Sequence, residues 1–390
     1  MDKQLENNSL IIVKTFKGLE EVLSNEISAL GAENVTILNR AVSFTGDKAM
    51  IYKANIHLRT ALKILKPISK FKARNEVDLY KGIYNINWGD YMDVDNTLAI
   101  FTVVNSDFFN HTQYVALKAK DAVVDQFKNT FGKRPSIDTT NPDIHIHLYL
   151  ADDECNVLLD SSGEPLNKRG YRVNSTLAPI NEVLAAGMIL LSNWDGNSNF
   201  IDPMCGSGTI PIEAALIAYN IPPGLFRTQF AFEKWKDFDK DLFEEVYNDG
   251  LPERKFEHKI IAADISAGAV RIAIDNAKNA FLQNKIEFIT QSFEKLVPPE
   301  GGGLVMMNPP YGERLKRNDL ESFYEKIGNQ LKKSYSGYEA WIISSNKEAI
   351  KRIGLKPSLR IPLINGALEC NFLRYNLYKG SKKNKAFELE

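Results

Sequence analysis

The predicted fold rests on one stretch, Leu304-Val305-Met306-Met307-Asn308-Pro309-Pro310-Tyr311. Its first half is an apolar run typical of a buried strand, and it ends abruptly in a polar residue, two prolines and an aromatic residue. In an open α/β sheet, such a strand end opens onto the crevice in which ligands bind. We therefore predict a buried strand here, with a binding site at its end.

Each residue of this turn has a chemical use at a binding site. The side-chain oxygen of Asn308 can accept a hydrogen bond from an exocyclic amine. The prolines stiffen the turn, so a main-chain carbonyl, most simply that of Pro309, can accept a second one. Tyr311 offers a face on which a planar base can stack. Two acceptors on an aryl amine direct its lone pair to an electrophile, as methyl transfer to a base requires. The alternative is an ordinary Asn-Pro turn.

A second candidate site precedes this stretch. Residues 200–209 predict a short strand and a tight glycine turn, and a helix follows. Glycines allow the backbone to approach a ligand at a helix N-terminus. Pro211 replaces the third glycine of the dinucleotide fingerprint, and the Gly-Lys-Ser/Thr of a P-loop is absent. Both of those nucleotide-binding classes are therefore excluded.

An acid, Asp264, ends the next predicted strand, where an acid commonly binds a ribose diol. It lies much farther from the glycine turn than the usual spacing of about 20 residues. We interpret the extra residues, 219–258, as a lid or outer layer of the same domain. Strands alternate with helices from residue 180 onward, and a final hairpin turns at Asn365-Gly366. This order predicts a doubly wound α/β sheet with an antiparallel edge.

Composition narrows the class of protein. The chain has 390 residues, a net charge of −1 and 44% hydrophobic residues, as expected of a globular protein with two or three domains. No apolar run approaches the roughly 20 residues of a membrane span, and the start lacks a signal-peptide pattern. The three cysteines form neither a disulfide framework nor a zinc pattern. We expect a cytoplasmic protein without a structural metal.

Two basic segments are candidates for contact with RNA phosphates. Residues 111–135 carry an excess of positive charge on a predicted helix and the loop after it, with Lys118, Lys133 and Arg134 among the cations. Lys168-Arg169-Gly170-Tyr171-Arg172 groups two arginines and a tyrosine around a glycine. The alternatives are an ordinary solvated helix face for the first segment and a basic linker for the second. His145 and His147 are interpreted as an exposed strand face and not as metal ligands.

The order and spacing of these motifs resemble the class I S-adenosylmethionine-dependent amino-methyltransferases. Other stretches resemble the THUMP-containing RNA guanine-N2 methyltransferases, and most closely the bacterial branch that modifies 23S ribosomal RNA. These stretches are residues 16–20, 134–146, 168–172, Ala178-Pro179 and 365–370. The resemblance covers nearly the whole chain. It implies a ferredoxin-like piece over residues 1–56, a THUMP RNA-binding domain over 57–162, and a linker helix with a Rossmann-like methyltransferase domain over 163–390.

The resemblance also implies roles for individual residues. Asp264 would bind the cofactor ribose, and Asn308, Pro309, Pro310 and Tyr311 would hold the target base. Many relatives carry an acid after the third strand for the cofactor adenine, whereas Gln291 and Ser292 stand there in this chain. The implied cofactor-binding set is Pro179, Asp202, Cys205, Gly206, Ser207, Gly208, Thr209, Asp264, Ile265, Gln291, Ser292 and Asn308. The implied RNA-binding set is Lys118, Lys133, Arg134, Lys168, Arg169, Tyr171 and Arg172.

The function expected from this resemblance is methyl transfer from S-adenosylmethionine to the exocyclic N2 of a guanine in RNA, with 23S rRNA as the substrate. The target base must leave any helix to enter such a pocket. We reject a covalent mechanism through Cys205, because a thiol in the glycine turn sits beside the cofactor and not under the base. Alternatives are a guanine-N2 enzyme acting on tRNA, an adenine-N6 RNA methyltransferase, and a non-catalytic RNA-binding assembly factor. The oligomeric state is not predicted.

Overall fold

The computed structural model describes residues 8–176, 179–249, 254–310 and 317–378. The chain divides into two compact units. The first unit holds the described residues of 1–15, 23–166 and 227–250, and the second holds those of 16–22, 167–226 and 251–390. No helix within the described ranges combines the length and the apolar character needed to cross a membrane.

The helices and strands are numbered in chain order. The strands are β1 (Ser9–Lys14), β2 (Glu33–Leu38), β3 (Ala41–Gly46), β4 (Lys63–Lys72), β5 (Thr97–Asn105), β6 (Ser136–Ile137), β7 (Ile144–Ala151), β8 (Glu154–Asp160), β9 (Asn199–Asp202), β10 (Ile260–Asp264), β11 (Glu287–Thr290), β12 (Gly303–Met307), β13 (Tyr338–Ser344), β14 (Leu359–Asn365) and β15 (Leu368–Asn376). The α-helices are α1 (Glu20–Ala29), α2 (Lys48–His57), α3 (Glu76–Tyr84), α4 (Thr112–Phe131), α5 (Glu182–Leu191), α6 (Thr209–Ala218), α7 (Lys240–Asn248), α8 (Ala267–Asn279), α9 (Arg317–Ser334) and α10 (Lys347–Arg352).

The first unit is built on one eight-stranded sheet in the order β2-β3-β1-β4-β8-β7-β5-β6. The alternation of apolar residues in β7 has its expected consequence, because Ile144, Ile146, Leu148 and Leu150 are all buried on one face. Helix α4 packs on β5 and α3. Gly132 follows the helix as its C-cap, and its φ of 71° is the left-handed conformation that is common at the ends of helices.

A segment between α6 and β10 belongs to the first unit, although the residues on either side of it belong to the second. Residues 227–249 belong to that unit, and the ring of Tyr52 in α2 lies 4.4 Å from the ring of Phe232 and 5.6 Å from that of Phe243. Burial of aromatic rings in such offset and edge contacts is favourable. The interpretation of residues 219–258 as a lid or outer layer of the catalytic domain was therefore wrong for this segment.

The second unit is the predicted doubly wound fold. Its seven strands lie in the order β11-β10-β9-β12-β13-β15-β14, and β15 is antiparallel to both of its neighbours. Strands β10 and β12 flank β9 and run parallel to it. The strand order therefore reverses between β9 and β12, and ligands bind beyond the carboxyl ends of strands at such a point. The glycine turn follows β9 and Asn308 follows β12, so the fold brings both motifs to one crevice.

Candidate active site

A cavity of about 590 Å³ occupies this crevice within the second unit. Its volume is in the range of small-molecule and cofactor sites. The cavity wall includes every predicted cofactor residue except Gly208 and Gln291: Pro179, Asp202, Cys205, Gly206, Ser207, Thr209, Asp264, Ile265, Ser292 and Asn308. The wall also includes residues that sequence reasoning missed, among them Thr176, Ile180, Glu294 and Phe323. Phe323 comes from α9, and no local motif marks it.

Backbone hydrogen bonds tie the glycine turn to the end of β10. The amide of Gly206 donates to Oδ2 of Asp264 at 3.0 Å, and the amide of Cys205 donates to the carbonyl of Ala263 at 2.9 Å. The amide of Ser266 donates to the other Asp264 oxygen at 2.9 Å. Each carboxylate oxygen has two lone pairs, so Asp264 is held in place and can still accept hydrogen bonds from two hydroxyl groups. A ribose diol fits that requirement.

Asp202 is a buried carboxyl group on the same wall. It is 1% exposed, and its Oδ1 accepts a hydrogen bond from the amide of Met204. The pKa of Asp202 is raised to about 8, chiefly by burial and also by the nearby charge of Asp264, while the hydrogen bond from Met204 lowers it. This carboxyl group is therefore largely protonated at neutral pH.

The Cys205 thiol is held in its neutral form. Burial raises its pKa well above the ordinary value, and the carboxyl groups of Asp202 and Asp264 act in the same direction. Because the thiolate is the reactive form of cysteine, Cys205 is a poor nucleophile. This environment agrees with a small wall residue and not with covalent catalysis.

The turn after β12 presents an unsatisfied acceptor. Oδ1 of Asn308 is buried and accepts no hydrogen bond from any residue that the structure describes. A buried polar atom without a partner costs about 1–3 kcal/mol, so a donor supplied by a ligand would be stabilising here. Asn308 lines the cavity, and its buried oxygen, which has no partner among the described residues, therefore fits a site for an amine donor.

The two prolines of this turn differ in whether they line the cavity. Pro310 contributes to the cavity wall, whereas Pro309 is buried and does not. The hydroxyl of Tyr324 lies 3.5 Å from the carbonyl of Pro310 and 2.8 Å from the hydroxyl of Ser344. Burial raises the pKa of Tyr324, so the phenol stays neutral. Tyr311 lies outside the described residues, and its role in stacking stays a prediction.

Gln291 is not among the residues that line the cavity. Its side-chain amide donates to the carbonyl of Lys295 at 2.7 Å, within the short turn that follows β11. Contact of Gln291 with the cofactor stays a prediction. Ser292 and the missed Glu294 are the polar side chains that reach the wall from this segment. The predicted role of Ser292 stays a prediction.

The basic motif at 168–172 is largely internal. Arg169 is 2% exposed and its Nε lies 3.4 Å from Oε1 of Glu213, while the hydroxyl of Tyr171 donates to the same oxygen at 2.9 Å. Arg172 donates to Glu182 at 2.6 Å and to other internal acceptors. The prediction that Arg169, Tyr171 and Arg172 contact RNA was wrong, because their polar groups are engaged inside the second unit.

The other predicted RNA contacts remain accessible to different degrees. Lys133, Arg134 and Lys168 are exposed. Lys118 is half-buried, with its ammonium 5.4 Å from the centre of the Tyr80 ring. Their contact with RNA stays a prediction.

The two histidines of β7 are half-buried, not fully exposed. The ring of Phe101 stacks on His147 at 5.1 Å, and Nε2 of His147 lies 3.3 Å from the buried carboxylate of Asp160. Throughout the described ranges, no group of three or more histidine, cysteine or acidic residues could hold a metal ion.

Three family models match this chain, one for each domain that the resemblance implied. Residues 10–65 match the RlmL ferredoxin-like domain, residues 73–160 match the THUMP domain, and residues 169–374 match the RMKL-like methyltransferase domain. These matches confirm the three kinds of domain and the Rossmann-like methyltransferase fold that the resemblance implied.

Individual relatives cover most of the chain. A protein of Synechocystis sp., described as a proposed RNA methyltransferase, is 36% identical over 93% of this chain and 95% of its own length. The ribosomal RNA large subunit methyltransferase K/L of Photobacterium profundum is 36% identical over 96% of this chain but 54% of its own length. The chain thus spans about half the length of the K/L relatives.

A solved structure has the same fold as this chain. The crystal structure of SMU.472, described as a proposed methyltransferase complexed with SAH, superimposes with a TM-score of 0.86 and 28% identity, over 96% of this chain and 100% of that one. The catalytic-domain match covers more than half of the chain. The chain therefore belongs to the family of RMKL-like, S-adenosylmethionine-dependent methyltransferases that carry an RlmL-type ferredoxin-like domain and a THUMP domain.

Proposed function

We propose that this chain methylates the exocyclic N2 of a guanine in RNA, with 23S rRNA as its substrate. The observation that carries the proposal is Asn308, a residue of the cavity wall whose buried Oδ1 has no hydrogen-bond partner among the described residues. An exocyclic amine has the N–H donors that this acceptor lacks. The THUMP match and the printed names of the relatives, which refer to RNA and to large-subunit rRNA, support the choice of substrate.

The chain contributes binding and orientation to this reaction. The glycine turn and Asp264 would hold S-adenosylmethionine, which supplies an electrophilic methyl group when bound. Asn308 would accept a hydrogen bond from the guanine amine and so aim the nitrogen lone pair. Fixing the two reactants in a near-attack geometry can remove a large part of the activation free energy of the reaction. The neutral Cys205 and the protonated Asp202 act neither as a strong base nor as a nucleophile, and an amine with an accessible lone pair needs neither.

The same proposal assigns the remaining parts of the chain. We keep residues 1–56, 57–162 and 163–390 as the three domains, with 227–249 packed in the first unit. Lys118, Lys133, Arg134 and Lys168 would contact RNA phosphates, whose charge favours such cations. A cytoplasmic location follows from an rRNA substrate.

The substrate is tested with purified protein, S-adenosylmethionine and two unmodified RNAs, a 23S rRNA transcript and a tRNA pool. Mass spectrometry of the digested nucleosides identifies the product. We expect N2-methylguanosine in the 23S rRNA and not in the tRNA. N6-methyladenosine as the product would overturn the choice of base, and methylation confined to tRNA would overturn the choice of RNA.

The buried Asp202 predicts a pH dependence of stability. Its folded-state pKa of about 8 lies above the ordinary aspartate value of 3.8, so the folded protein binds this proton more tightly than the unfolded chain. The resulting stability is fully present below about pH 4 and is lost as the pH rises through about 8. Thermal unfolding of the cofactor-free protein should therefore show the melting temperature of the wild type falling, relative to Asp202→Asn, between about pH 4 and 8.

Asp275→Asn is the matched control, because Asp275 lies on the surface of α8, 3.6 Å from Lys278. It should follow the wild-type pH profile. A wild-type curve that runs parallel to that of Asp202→Asn would contradict the raised pKa.

A further inference from the structure

Arg172 makes an unusually complete set of internal hydrogen bonds. Its Nε donates to Oε1 of Glu182 at 2.6 Å, and its Nη2 donates to the carbonyl of Ile180 at 3.1 Å. Toward the glycine turn, Nη1 donates to the hydroxyl of Ser207 at 3.1 Å and Nη2 donates to that of Thr209 at 2.8 Å. Four of the five N–H groups of the guanidinium are thus used, in a planar fork that lysine cannot reproduce.

These contacts join two walls of the cofactor cavity. Ile180 belongs to the wall that contains Thr176 and Pro179, while Ser207 and Thr209 belong to the glycine turn and the first residue of α6. Both hydroxyl residues are 3% exposed. Glu182 balances the charge of Arg172, so the guanidinium is held in place instead of being free to leave for a phosphate.

The direction of these hydrogen bonds has a chemical consequence. A hydroxyl group has one donor and two acceptor lone pairs. Arg172 occupies an acceptor site on Ser207 and on Thr209, so each O–H proton remains available to donate elsewhere. Both residues line the cavity, next to the amino end of α6, where the helix dipole also favours an anionic group. The cavity therefore has a donor-rich end at these hydroxyls, in addition to the acceptor carboxylate of Asp264.

We propose that Arg172 is a positioning residue that turns the Ser207 and Thr209 hydroxyls toward the carboxylate of the S-adenosylmethionine amino-acid moiety. The carboxylate is the anionic group of the cofactor, and it matches the donor-rich end of the cavity. This assignment rests on the cofactor part of the proposed function and is independent of which base or RNA is methylated.

The test compares two ligands without RNA. S-adenosylmethionine carries the carboxylate, whereas 5′-methylthioadenosine has the same nucleoside, with its sulfur as a neutral thioether instead of a sulfonium, and lacks the amino-acid moiety. By calorimetric titration, Arg172→Lys should weaken binding of S-adenosylmethionine by about 10- to 100-fold, the loss expected for hydrogen bonds to a charged group. Binding of 5′-methylthioadenosine should be unchanged. Steady-state kinetics should show a higher KM for S-adenosylmethionine with an unchanged KM for RNA.

Arg352→Lys is the matched control, because Arg352 is a surface arginine of the same unit that pairs with Glu321 at 2.7 Å. It should leave the affinity for both ligands as in the wild type. Equal loss of affinity for the two ligands in Arg172→Lys would mean a general structural role and overturn the proposal. Unchanged binding of S-adenosylmethionine with weakened RNA binding would also overturn it, in favour of a direct RNA contact.

Thr209→Val provides a second measurement that keeps Arg172 and its pairing with Glu182 intact. It removes one of the two hydroxyls and should weaken binding of S-adenosylmethionine, but not of 5′-methylthioadenosine, by about 5- to 10-fold. If Arg172→Lys does not fold, this variant still tests whether a hydroxyl that Arg172 contacts binds the amino-acid moiety of the cofactor. An unchanged affinity of Thr209→Val for S-adenosylmethionine would overturn the proposal.

Discussion

Replacement of Asn308 by alanine is expected to slow methyl transfer by about 10²- to 10³-fold, the usual loss when one preorganised hydrogen-bonding group of an active site is removed. The substitution deletes the buried acceptor that has no partner among the described residues. The target amine would then enter the cavity without a group to direct its lone pair. Because the lost hydrogen bond acts on the reacting amine, the main effect should be on the rate of methyl transfer and not on the affinity for RNA.

Single-turnover methylation with saturating cofactor and RNA isolates this effect, and titrations of each ligand complete the measurement. Asn346→Ala is a matched control, because the Asn346 side chain caps α10 and lies outside the cavity wall. Loss of such a cap costs about 1 kcal/mol of stability and should leave methyl transfer at the wild-type rate. A fully active Asn308→Ala enzyme would show that this side chain does not orient the base.

The sequence predicted those parts of the fold and site that depend on local patterns. Buried parallel strands are short apolar runs, and their ends are marked by Asp202, Asp264 and Asn308. Once these strands form one doubly wound sheet, the reversal of strand order between β9 and β12 brings the glycine turn and Asn308 to one crevice. Rules of sheet topology are general, and this juxtaposition could therefore be inferred without coordinates.

The errors concern side chains whose environment is set by residues distant in sequence. By residue type, Arg169 is expected to be a surface cation. In the structure, Glu213, a buried acid in α6, lies beside it. From the sequence, the aromatic residues of segment 227–249 are expected to cover the catalytic domain. In the structure, the ring of Phe232 packs on that of Tyr52 in the first unit. Residue type alone does not reveal such partners.

Gly208→Ala is expected to have the second large effect, on both cofactor binding and stability. Gly208 is the N-cap of α6 with a φ of 83°, and a Cβ at this position would lie 2.9 Å from the Cβ of Ala273 and 3.1 Å from its Cα. The left-handed backbone and the contact with α8 should together lower the free energy of unfolding by about 2–4 kcal/mol. The displaced turn should weaken binding of S-adenosylmethionine by at least about tenfold, as expected when a preorganised site is lost.

Denaturant unfolding and calorimetric titration measure the two effects, and Gly366→Ala separates strain from contact. Gly366 has a φ of 62° in the β14–β15 hairpin, and a Cβ there would meet nothing within 4 Å. Its substitution should therefore cost only the backbone strain, about 1–2 kcal/mol, with cofactor affinity unchanged. Adding Ala273→Gly to Gly208→Ala removes the closest clash and should restore part of the affinity. If Gly208→Ala bound the cofactor as tightly as Gly366→Ala, close packing of the turn on α8 would not be what shapes the cavity.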